Sequence, residues 1–526
     1  MSDFIRFNKL YNSLTINNTL IHVGKLLERA YAKYPNNDAL ICDEEKISYK
    51  ELYYKANLCS KMLLDKQINK NDRVIILYQN SIDFYIAYFA IWTIGAIVVP
   101  INIFLKEQEI INIIKDSNPK ILIISAQFIE KFPNLATLGL PIISQVSNKE
   151  ENYNIDIEIV DRDIQEVAAI LYTSGTTGNP KGVMLTSKNI IVNAIQGFAR
   201  FQASHQDKIY CPMPLFHSFP QNVCMWSTVI IGATAITSSK IDRSKIINAL
   251  KHNPTVVMCV PAIYGLFCKM KNLNFESVRF FISGGDILSD KIRKYFELIY
   301  RRKLCNGYGL TETSPFIAVN LDNYTQNTNT IGAPLWGINC QIRDSNSEIL
   351  GINKVGVLWI NGENVMKGYY NQEEKTKEVI KDGWFNTEDL AYINQDGKIV
   401  ITGREKDLIK SKGIKIYPSE IENLILTNDK VIQAAVLGKK ITQEKSTDYK
   451  SEIDAEEEYP VAFIATHEKD IEKLQKDLIN LVRTNLASYK VPREFIIKRD
   501  LPISATGKVD KKALKVLLEQ DVEQKA

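Results

Sequence analysis

The chain has few histidines and few cysteines, and no two cysteines are close enough in sequence to suggest a pair. Its 526 residues include five His and eight Cys. The cysteines are Cys42, Cys59, Cys211, Cys224, Cys259, Cys268, Cys305 and Cys340. The lack of a CxxC unit argues against a zinc site and a disulfide framework. Scattered cysteines are typical of a reducing compartment, so we expect a cytoplasmic protein.

The chain also has little net charge. Lys and Arg number 65 and Asp and Glu number 61, which leaves +4 at pH 7. This excess is too small to indicate a nucleic-acid partner, and we expect none. A hydrophobic share of 45% and a charged share of 24% are ordinary for a soluble globular protein. Because the chain is too long for one core, we expect two or more domains.

Long apolar runs are rare, and one of them is long enough to be a membrane span. Phe84–Leu105 contains no charged residue. Gly95 and Pro100 divide the run. The sequence therefore predicts a buried helix over Ser81–Ile94 and a short strand over Ala96–Val99, with a true membrane span as the alternative.

Strand-like runs alternate with helical patterns, which predicts α/β layers. The predicted strands are Ala39–Ile41 and Ile47–Tyr49, joined as a hairpin, then Arg73–Leu77, Pro119–Ser125, Val167–Leu171, Val256–Val260, Phe280–Ser283 and Lys303–Asn306. Ser283–Asp286 and Asn306–Glu312 fall at carboxyl ends of strands, where open α/β sheets collect their chemistry. Residues 1–25 have no apolar core of signal-peptide length and are predicted to wrap the surface. The charged segment Lys439–Glu458 is predicted to be an exposed loop.

Leu171–Val183, with the sequence LYTSGTTGNPKGV, is the most distinctive stretch. It offers many unobstructed backbone N–H groups, four Ser/Thr hydroxyls and the cation Lys181. That combination suits the oxygens of a polyphosphate. It is not a Walker A loop, since Pro180 precedes Lys181 and Gly182 follows it. A surface turn without a ligand is the alternative for this stretch taken alone.

Further motifs follow this loop along the chain. They are PLFHSFP (Pro214–Pro220), NGYGLTETSP (Asn306–Pro315), the run Trp384–Glu422, and LPISATGK (Leu501–Lys508). Together with TSGTTGNPKG they resemble the adenylate-forming (ANL) superfamily of acyl-CoA synthetases, adenylation domains and luciferases. The resemblance implies an α/β fold with a large N-terminal domain of layered α/β subdomains at residues 1–404. It also implies a small mobile C-terminal α+β domain at residues 405–526, with the hinge near Lys406.

The resemblance implies residues that bind ATP and Mg²⁺. Those around the phosphates are Thr173, Ser174, Gly175, Thr176, Thr177, Gly178 and Lys181, and those around the adenosine are Gly284, Gly285, Asn306, Tyr308, Gly309, Asp389 and Arg404. Tyr308 would stack on adenine, and Asp389 would accept the ribose hydroxyls with support from Arg404. Glu312 would ligate Mg²⁺ with Thr176, and Thr311 would contact the α-phosphate.

The chain departs from the family pattern near two of these residues. Glu388 stands before Asp389, where the family pattern has glycine, and this puts the local backbone shape in question. Asp286 follows Gly284 and Gly285, where many relatives carry a small residue. The ribose-binding aspartate itself is kept.

Activating a carboxylate with ATP brings two anions together, so catalysis needs cations where charge develops. The resemblance implies that Lys508 bridges the carboxylate and the α-phosphate as a flexible cation. It implies that His217 stands at the mouth of the acyl pocket, where it gates substrate or assists the chemistry. A swing about Lys406 would withdraw Lys508 and open a tunnel for CoA. The residues brought forward to that tunnel are Ser411, Lys412 and Gly413.

The acid is predicted from the residues around His217. No acidic residue occurs from Pro212 to Trp226, so an amino acid's ammonium group has no partner there and an uncharged tail is favoured. The segments NVMKGYYN, DGWFNTEDLA and GIKIYPSEIE resemble medium- and long-chain fatty acyl-CoA synthetases most. The predicted reaction makes acyl-CoA, AMP and pyrophosphate from a fatty acid, ATP and CoA. The alternatives are an acyl–acyl-carrier-protein synthetase, another carboxylate-activating enzyme, and a nucleotide-binding protein without activity.

A basic stretch suggests how a fatty acid would be collected. It comprises Lys291, Arg293, Lys294, Arg301, Arg302 and Lys303 around an apolar segment. Such a stretch predicts a transient contact with an anionic membrane surface. A solvated helix face is the alternative.

Overall fold

The computed structural model describes residues 2–146, 155–173, 180–321, 330–411, 414–440, 458–503 and 509–523. Its α-helices, in chain order, are α1 (Ser2–Ser13), α2 (Leu26–Lys33), α3 (Tyr49–Asp65), α4 (Ile82–Thr93), α5 (Glu107–Ser117), α6 (Ala126–Lys131), α7 (Ser187–Phe201), α8 (Ser218–Pro220), α9 (Ser227–Ile231), α10 (Arg243–Leu250), α11 (Pro261–Met270), α12 (Asp290–Tyr300), α13 (Glu373–Val379), α14 (Pro418–Ile425), α15 (Ile471–Asn485) and α16 (Lys511–Glu523). A π-helix, Gln221–Trp226, joins α8 to α9.

The strands are more numerous and fall into separate sheets. In chain order they are β1 (Thr15–Ile16), β2 (Thr19–Leu20), β3 (Asp38–Cys42), β4 (Glu45–Ser48), β5 (Arg73–Leu77), β6 (Ile97–Pro100), β7 (Ile121–Ile124), β8 (Ile142–Ile143), β9 (Val167–Thr173), β10 (Lys181–Thr186), β11 (Lys208–Tyr210), β12 (Thr234–Thr237), β13 (Val256–Cys259), β14 (Phe280–Ser283), β15 (Leu304–Gly309), β16 (Phe316–Asn320), β17 (Thr330–Gly332), β18 (Asn339–Arg343), β19 (Gly356–Asn361), β20 (Gly368–Tyr369), β21 (Ile380–Lys381), β22 (Trp384–Ile393), β23 (Ile399–Arg404), β24 (Ile409–Ser411), β25 (Ile414–Ile416), β26 (Val431–Lys440), β27 (Glu458–Thr466) and β28 (Glu494–Lys498). The predicted strands are confirmed, with boundaries shifted by a few residues.

Three large sheets build the N-terminal domain. A seven-stranded sheet has the order β20-β10-β9-β6-β5-β7-β8, and an eight-stranded sheet has the order β16-β15-β14-β13-β11-β12-β3-β4. A six-stranded sheet runs β17-β23-β22-β19-β18, with β21 paired to β22. In the eight-stranded sheet β13, β14 and β15 are parallel, so their carboxyl ends share one edge.

The uncharged run is a core helix followed by a strand, as the sequence predicts. Ser81 caps α4 by accepting from the Phe84 N–H, and the helix is then buried to its end. The buried hydroxyl of Tyr85 has a hydrogen-bond partner there, since its Oη donates to the Cys224 carbonyl at 2.6 Å. No helix in the described part of the chain is long and apolar enough to cross a membrane.

The predicted hairpin ends one residue earlier than the pattern indicates. The sequence pattern places Tyr49 in the second strand, yet Tyr49 is the first residue of α3. Ser48 ends the strand because its side chain accepts from the Glu51 N–H, while the Glu51 carboxylate accepts from the Ser48 N–H at 2.8 Å. This capping box starts the helix at Tyr49.

The N-terminal prediction is wrong in part, because residues 1–25 do more than wrap the surface. Ser2–Ser13 form helix α1, and Asp3 pairs with Arg200 of α7 at 3.0 Å. Leu14 and Val23 are fully buried behind it. The helix is hard to recognise from the sequence of residues 1–25, because a short amphipathic helix that packs on a larger core needs only a few apolar residues.

The exposed-loop prediction for 439–458 is also wrong at its ends. Lys439 belongs to β26, opposite Tyr459 of β27, and Glu458 is the first residue of β27, opposite Lys440. Lys439 Nζ also pairs with Glu494 at 2.9 Å. The strands extend into the charged segment because alternate side chains of a strand point to opposite faces, so charged side chains can face solvent. Residues 441–457 lie outside the described residues.

The C-terminal domain has buried clusters of its own on both faces of one sheet. β26, β27 and β28 form this sheet. Ala462 and Ile464 of β27 pack with α14 and α15 on one face, and Phe463 packs with Leu514 of α16 on the other. This alternation is the two-residue period of a strand buried on both faces. The mixed α/β architecture with a large N-terminal and a smaller C-terminal domain is thus as predicted, while the boundary between residues 404 and 405 stays a prediction.

Candidate active site

The predicted phosphate loop connects the two strands of a β-hairpin. β9 and β10 are antiparallel, and Thr173 lies opposite Lys181. The predicted loop residues Ser174, Gly175, Thr176, Thr177 and Gly178 lie outside the described residues. Tyr172 anchors the base of the hairpin, since its Oη donates to Asp116 Oδ2 of α5 at 2.5 Å. The hairpin therefore presents Thr173 and Lys181 side by side from a fixed base.

A tyrosine connects this hairpin to the predicted metal ligand. β20 pairs with β10 and places Tyr369 opposite Val183. Lys181 Nζ lies over the Tyr369 ring, 4.9 Å from its centroid. Tyr369 Oη donates to Glu312 Oε1 at 3.0 Å. Lys181 of β10 and Glu312, in the 3₁₀ turn Thr311–Thr313 after β15, thus meet at one ring.

Glu312 is a half-buried carboxylate. Burial raises its pKa, and hydrogen bonds from its own main chain and from Tyr369, with the charges of Arg404 and Lys181, oppose that rise. Burial and then the Glu312 charge raise the pKa of Tyr369, so its hydroxyl remains a donor. No group of three or more His, Cys, Asp or Glu within the described ranges is placed to hold a metal ion. A single carboxylate beside the phosphate loop nevertheless fits Mg²⁺, which proteins often hold with one or two carboxylates plus phosphate oxygens and water.

Asp389 is the centre of a second polar cluster. It is 4% exposed, and its Oδ2 accepts from Tyr308 Oη at 2.5 Å. Arg404 Nε lies 2.9 Å from Oδ1. Burial and then the Asp389 charge raise the pKa of Tyr308, so the phenol is the donor. Because each carboxylate oxygen has two lone pairs, ribose hydroxyls at Asp389 would share it with Tyr308 and Arg404.

The predicted adenine residues lie at the shared edge of β14 and β15. Asn306 in β15 is beside Ser283, the last residue of β14. Gly284 and Gly285 form the turn that follows. Gly285 has φ +78°, which favours glycine. A Cβ on Gly284 would reach within 3.4 Å of the Phe219 ring, so the missing side chain leaves room between this turn and the His217 motif.

The turn after β15 is tightly packed and carries Thr311. A Cβ on Gly309 would meet the Pro315 carbonyl oxygen at 1.9 Å, so only glycine lets the chain fold back into β16 here. Thr311 Oγ1 and Ser218 Oγ are 3.2 Å apart. His217, the neighbour of Ser218, is half-buried. The predicted α-phosphate residue and the predicted acyl-pocket residue therefore lie close together.

The other predicted residues lie on the C-terminal side of the site. Lys406 is in a 3₁₀ turn, Glu405–Asp407, directly after β23. Ser411 ends β24 opposite Ile414, so it stands at the tip of the β24–β25 hairpin. Lys412, Gly413 and Lys508 lie outside the described residues. A bridge between Ile503 and Val509 joins the two sides of the segment that contains Lys508.

Glu388 occupies the backbone conformation that its position in the pattern suggests for glycine. Its φ is +58°, in the left-handed region. Its N–H donates to Asn386 Oδ1 at 2.8 Å, which supports the turn. The half-buried Glu388 thus adds strain and a carboxylate beside Asp389.

Replacing Glu388 with glycine should leave the protein as stable or slightly more stable. The left-handed conformation costs a side-chain residue about 1–2 kcal/mol, and glycine returns about 0.5–1 kcal/mol of that through its freer unfolded chain. We expect a small rise in the thermal midpoint. Glu388→Ala is the matched control, because it removes the carboxylate but keeps the Cβ. An equal rise in both variants would assign the effect to charge instead of backbone.

Sequence reasoning missed Tyr369, Tyr172 and Asp116. Tyr369 lies in NVMKGYYN, a segment whose sequence indicates a resemblance to fatty acyl-CoA synthetases but no role for this tyrosine. A two-residue strand has no period that indicates its partners. The available signal was a tyrosine in a buried run, because a buried phenol usually finds a hydrogen-bond partner.

Two family models match this chain. Residues 27–370 match the AMP-binding enzyme family, and residues 450–508 match the AMP-binding enzyme C-terminal domain. The 4-coumarate–CoA ligase 3 of Arabidopsis thaliana is 29% identical over 482 residues, which cover 86% of this chain and 83% of that protein. A long-chain-fatty-acid–CoA ligase of Bacillus subtilis is 26% identical over 544 aligned positions, covering 95% and 94%.

A solved structure extends the likeness to the whole fold. ATP-bound MatB from Rhodopseudomonas palustris superposes with a TM-score of 0.82 at 26% identity, over 94% of this chain and 98% of that one. The apo form of MatB gives 0.75 over 94% and 99%. The first family model spans well over half of the chain and includes the phosphate hairpin, Glu312 and Tyr369. The chain is therefore a member of the AMP-binding enzyme family, within the adenylate-forming superfamily.

Proposed function

We propose that the protein is an AMP-forming ligase that joins a fatty acid to CoA through an acyl-adenylate. The observation that carries this proposal is the meeting of three sheets at one site. There the Lys181 hairpin, the Tyr369–Glu312 pair and the Tyr308–Asp389–Arg404 cluster lie together. The CoA ligases among the relatives support CoA as the acceptor.

Each cluster has one task in the first half-reaction. A carboxylate oxygen of the acid attacks the α-phosphorus of ATP, and the bond to pyrophosphate breaks. Lys181 neutralises charge on the phosphates that leave, and Lys508 does so between the carboxylate and the α-phosphate. Glu312 would hold Mg²⁺, which would supply a positive charge that neutralises the phosphates. Tyr308, Asp389 and Arg404 hold the nucleoside in line for the attack.

The second half-reaction requires the C-terminal domain to move. The thiol of CoA attacks the acyl carbon, AMP leaves, and Lys508 must by then have withdrawn. We propose Lys406 as the hinge and Ser411, Lys412 and Gly413 as the wall of the CoA tunnel. The 3₁₀ turn at Lys406 follows a strand end, the kind of position that absorbs large dihedral changes.

The arrangement of the domains supports a nucleotide-binding orientation. Lys291 of α12 donates to the main-chain oxygens of Asn428, Asp429 and Val431 at 3.1–3.2 Å, which ties the large domain to the small one. The ATP-bound form of MatB superposes better than its apo form, with TM-scores of 0.82 and 0.75. We infer that the contact of Lys291 belongs to the adenylating orientation.

The choice of a fatty acid rests on the segment around His217. Pro212–Trp226 contains no Asp, Glu, Lys or Arg, and His217 is its one ionisable imidazole. It therefore offers no carboxylate to an ammonium group, which would be costly to bury unpaired. The π-helix in this segment is fully buried, and four of its six side chains, those of Val223, Cys224, Met225 and Trp226, are apolar. We infer that they favour an uncharged acyl group. The 4-coumarate–CoA ligase among the relatives makes an aromatic acid the competing substrate.

ATP–pyrophosphate exchange over a series of acids tests this proposal. Because each buried CH₂ contributes about 0.8 kcal/mol, kcat/KM should rise about fourfold per methylene until the pocket is full. 4-Coumarate and succinate should react more slowly than the preferred fatty acid. Products of the full reaction should be AMP and pyrophosphate, and release of ADP would sink the adenylate mechanism. Faster reaction of 4-coumarate than of every fatty acid would reassign the substrate.

Two finer predictions remain within the proposal. Product assays with CoA and with a carrier protein distinguish the predicted acceptor, CoA, from its alternative, the carrier protein.

The predicted contact with a membrane surface has less support in the structure than in the sequence. Lys291 donates to main-chain oxygens of the C-terminal domain, and Arg293 pairs with Glu297 at 3.1 Å. Lys294 and Leu298 remain exposed on α12.

A further inference from the structure

We propose that Tyr369 is a positioning residue that holds the metal-binding carboxylate and the phosphate-binding lysine in one geometry. Its hydroxyl would aim Glu312 at Mg²⁺, and its ring would aim Lys181 at the phosphates. The inference rests on the proposed function, because it assigns Tyr369 to the same nucleotide site. It adds Tyr369 to that site, with its hydroxyl acting on Glu312 and its ring acting on Lys181.

The main chain around Tyr369 is fixed from several directions. The Tyr369 N–H donates to Thr376 Oγ1 of α13 at 2.9 Å. Gly368 permits this approach, since a Cβ there would come within 2.7 Å of Thr376 Cγ2. The Met366 N–H donates to the Glu312 carbonyl at 2.8 Å, which ties the segment before β20 to the turn that carries the carboxylate. Tyr369 thus has a rigid frame from which to orient both partners.

The side chain is equally constrained. Tyr369 is 4% exposed, so bulk water cannot replace Glu312 as the partner of its hydroxyl. Breaking that hydrogen bond would leave a buried donor without an acceptor, which costs free energy. The bond to Glu312 Oε1 directs the carboxylate toward the phosphate hairpin that lies beneath the same ring. A carboxylate held this way loses little rotamer freedom when a metal arrives. The ring also restrains the flexible ammonium of Lys181 through a cation–π contact.

The two tasks are separable because they use different parts of the side chain. Tyr369→Phe removes the hydroxyl and keeps the ring beneath Lys181. Tyr369→Leu removes both. Tyr370→Phe is the matched control, since its residue is the next in sequence and its side chain packs in another cluster, with Ile170 and Val167.

Calorimetric titration of the full-length protein with ATP measures both tasks without a turnover assay. One series contains Mg²⁺, and the other contains EDTA. For Tyr369→Phe we expect affinity for Mg·ATP to fall about tenfold, as for a lost hydrogen bond to a charged group, with metal-free ATP affinity unchanged. For Tyr369→Leu we expect the metal-free affinity to fall as well, by about threefold. Tyr370→Phe should match the parent in both series.

A double-mutant cycle shows whether the hydroxyl acts through Glu312. In a Glu312→Gln background, Tyr369→Phe should have little further effect on Mg·ATP affinity. A full additional tenfold loss in that background would overturn the positioning role. Equal loss in both series for Tyr369→Phe would also overturn it, because a general structural defect does not depend on the metal. A parent protein that binds no ATP would overturn the proposed function and this inference together.

Discussion

Replacing Lys508 with alanine should slow adenylation by about 10²–10³, the usual cost of losing one pre-placed electrostatic group. Thioester formation from a supplied acyl-adenylate should be spared. The reason is charge: two anions meet only in the first half-reaction, and the acyl-adenylate is already activated. Lys508 is outside the described residues, and the bridge from Ile503 to Val509 is the nearest described feature.

The measurement compares the two half-reactions in the same preparations. Pyrophosphate exchange reports adenylation, and conversion of synthetic acyl-adenylate with CoA reports the second step. Lys515→Ala is a suitable control, because Lys515 is an exposed lysine of the neighbouring helix α16. Equal losses in both half-reactions would contradict a role restricted to adenylation and with it the need to withdraw Lys508.

Replacing Asp389 with asparagine should weaken ATP binding by about 10²-fold. The two ribose hydroxyls would then lose a charged acceptor, and a hydrogen bond to a charged group contributes about 1.5 kcal/mol or more. The amide also turns a donor toward Tyr308 or Arg404, both of which donate to Asp389 in the structure. The loss of folding stability should be smaller, about 1–2 kcal/mol, because the Arg404 side chain is 40% exposed and can turn to water.

Titration with ATP and thermal unfolding separate these two effects. Asp396→Asn is the matched control, since Asp396 lies exposed in the turn between the same two strands, β22 and β23. It should leave both affinity and stability unchanged. Unchanged ATP affinity in Asp389→Asn, together with reduced stability, would make the cluster a purely structural one.

The order of the motifs and the ends of the strands were readable from sequence. β14 has the predicted bounds, and β15 begins one residue later and ends three residues later than predicted. Both strands were predictable because runs of β-branched and aromatic residues between turn signals encode a strand locally. The helix α4 was separable from a membrane span because Gly95 and Pro100 interrupt the apolar run. The departure at Glu388 was also visible, and its φ of +58° is in the left-handed region that glycine favours.

The sequence by itself therefore determined the α/β class, the candidate residues and their order along the chain. Only the tertiary structure decided which of them touch. Tyr308 of the eight-stranded sheet donates to Asp389 of the six-stranded sheet. Tyr369 joins Lys181 of its own seven-stranded sheet to Glu312 in the turn after β15. Local periodicity and turn chemistry act over a few residues, so they specify elements and strand ends. Contacts between sheets depend on how whole layers pack, and no short stretch of sequence contains that information.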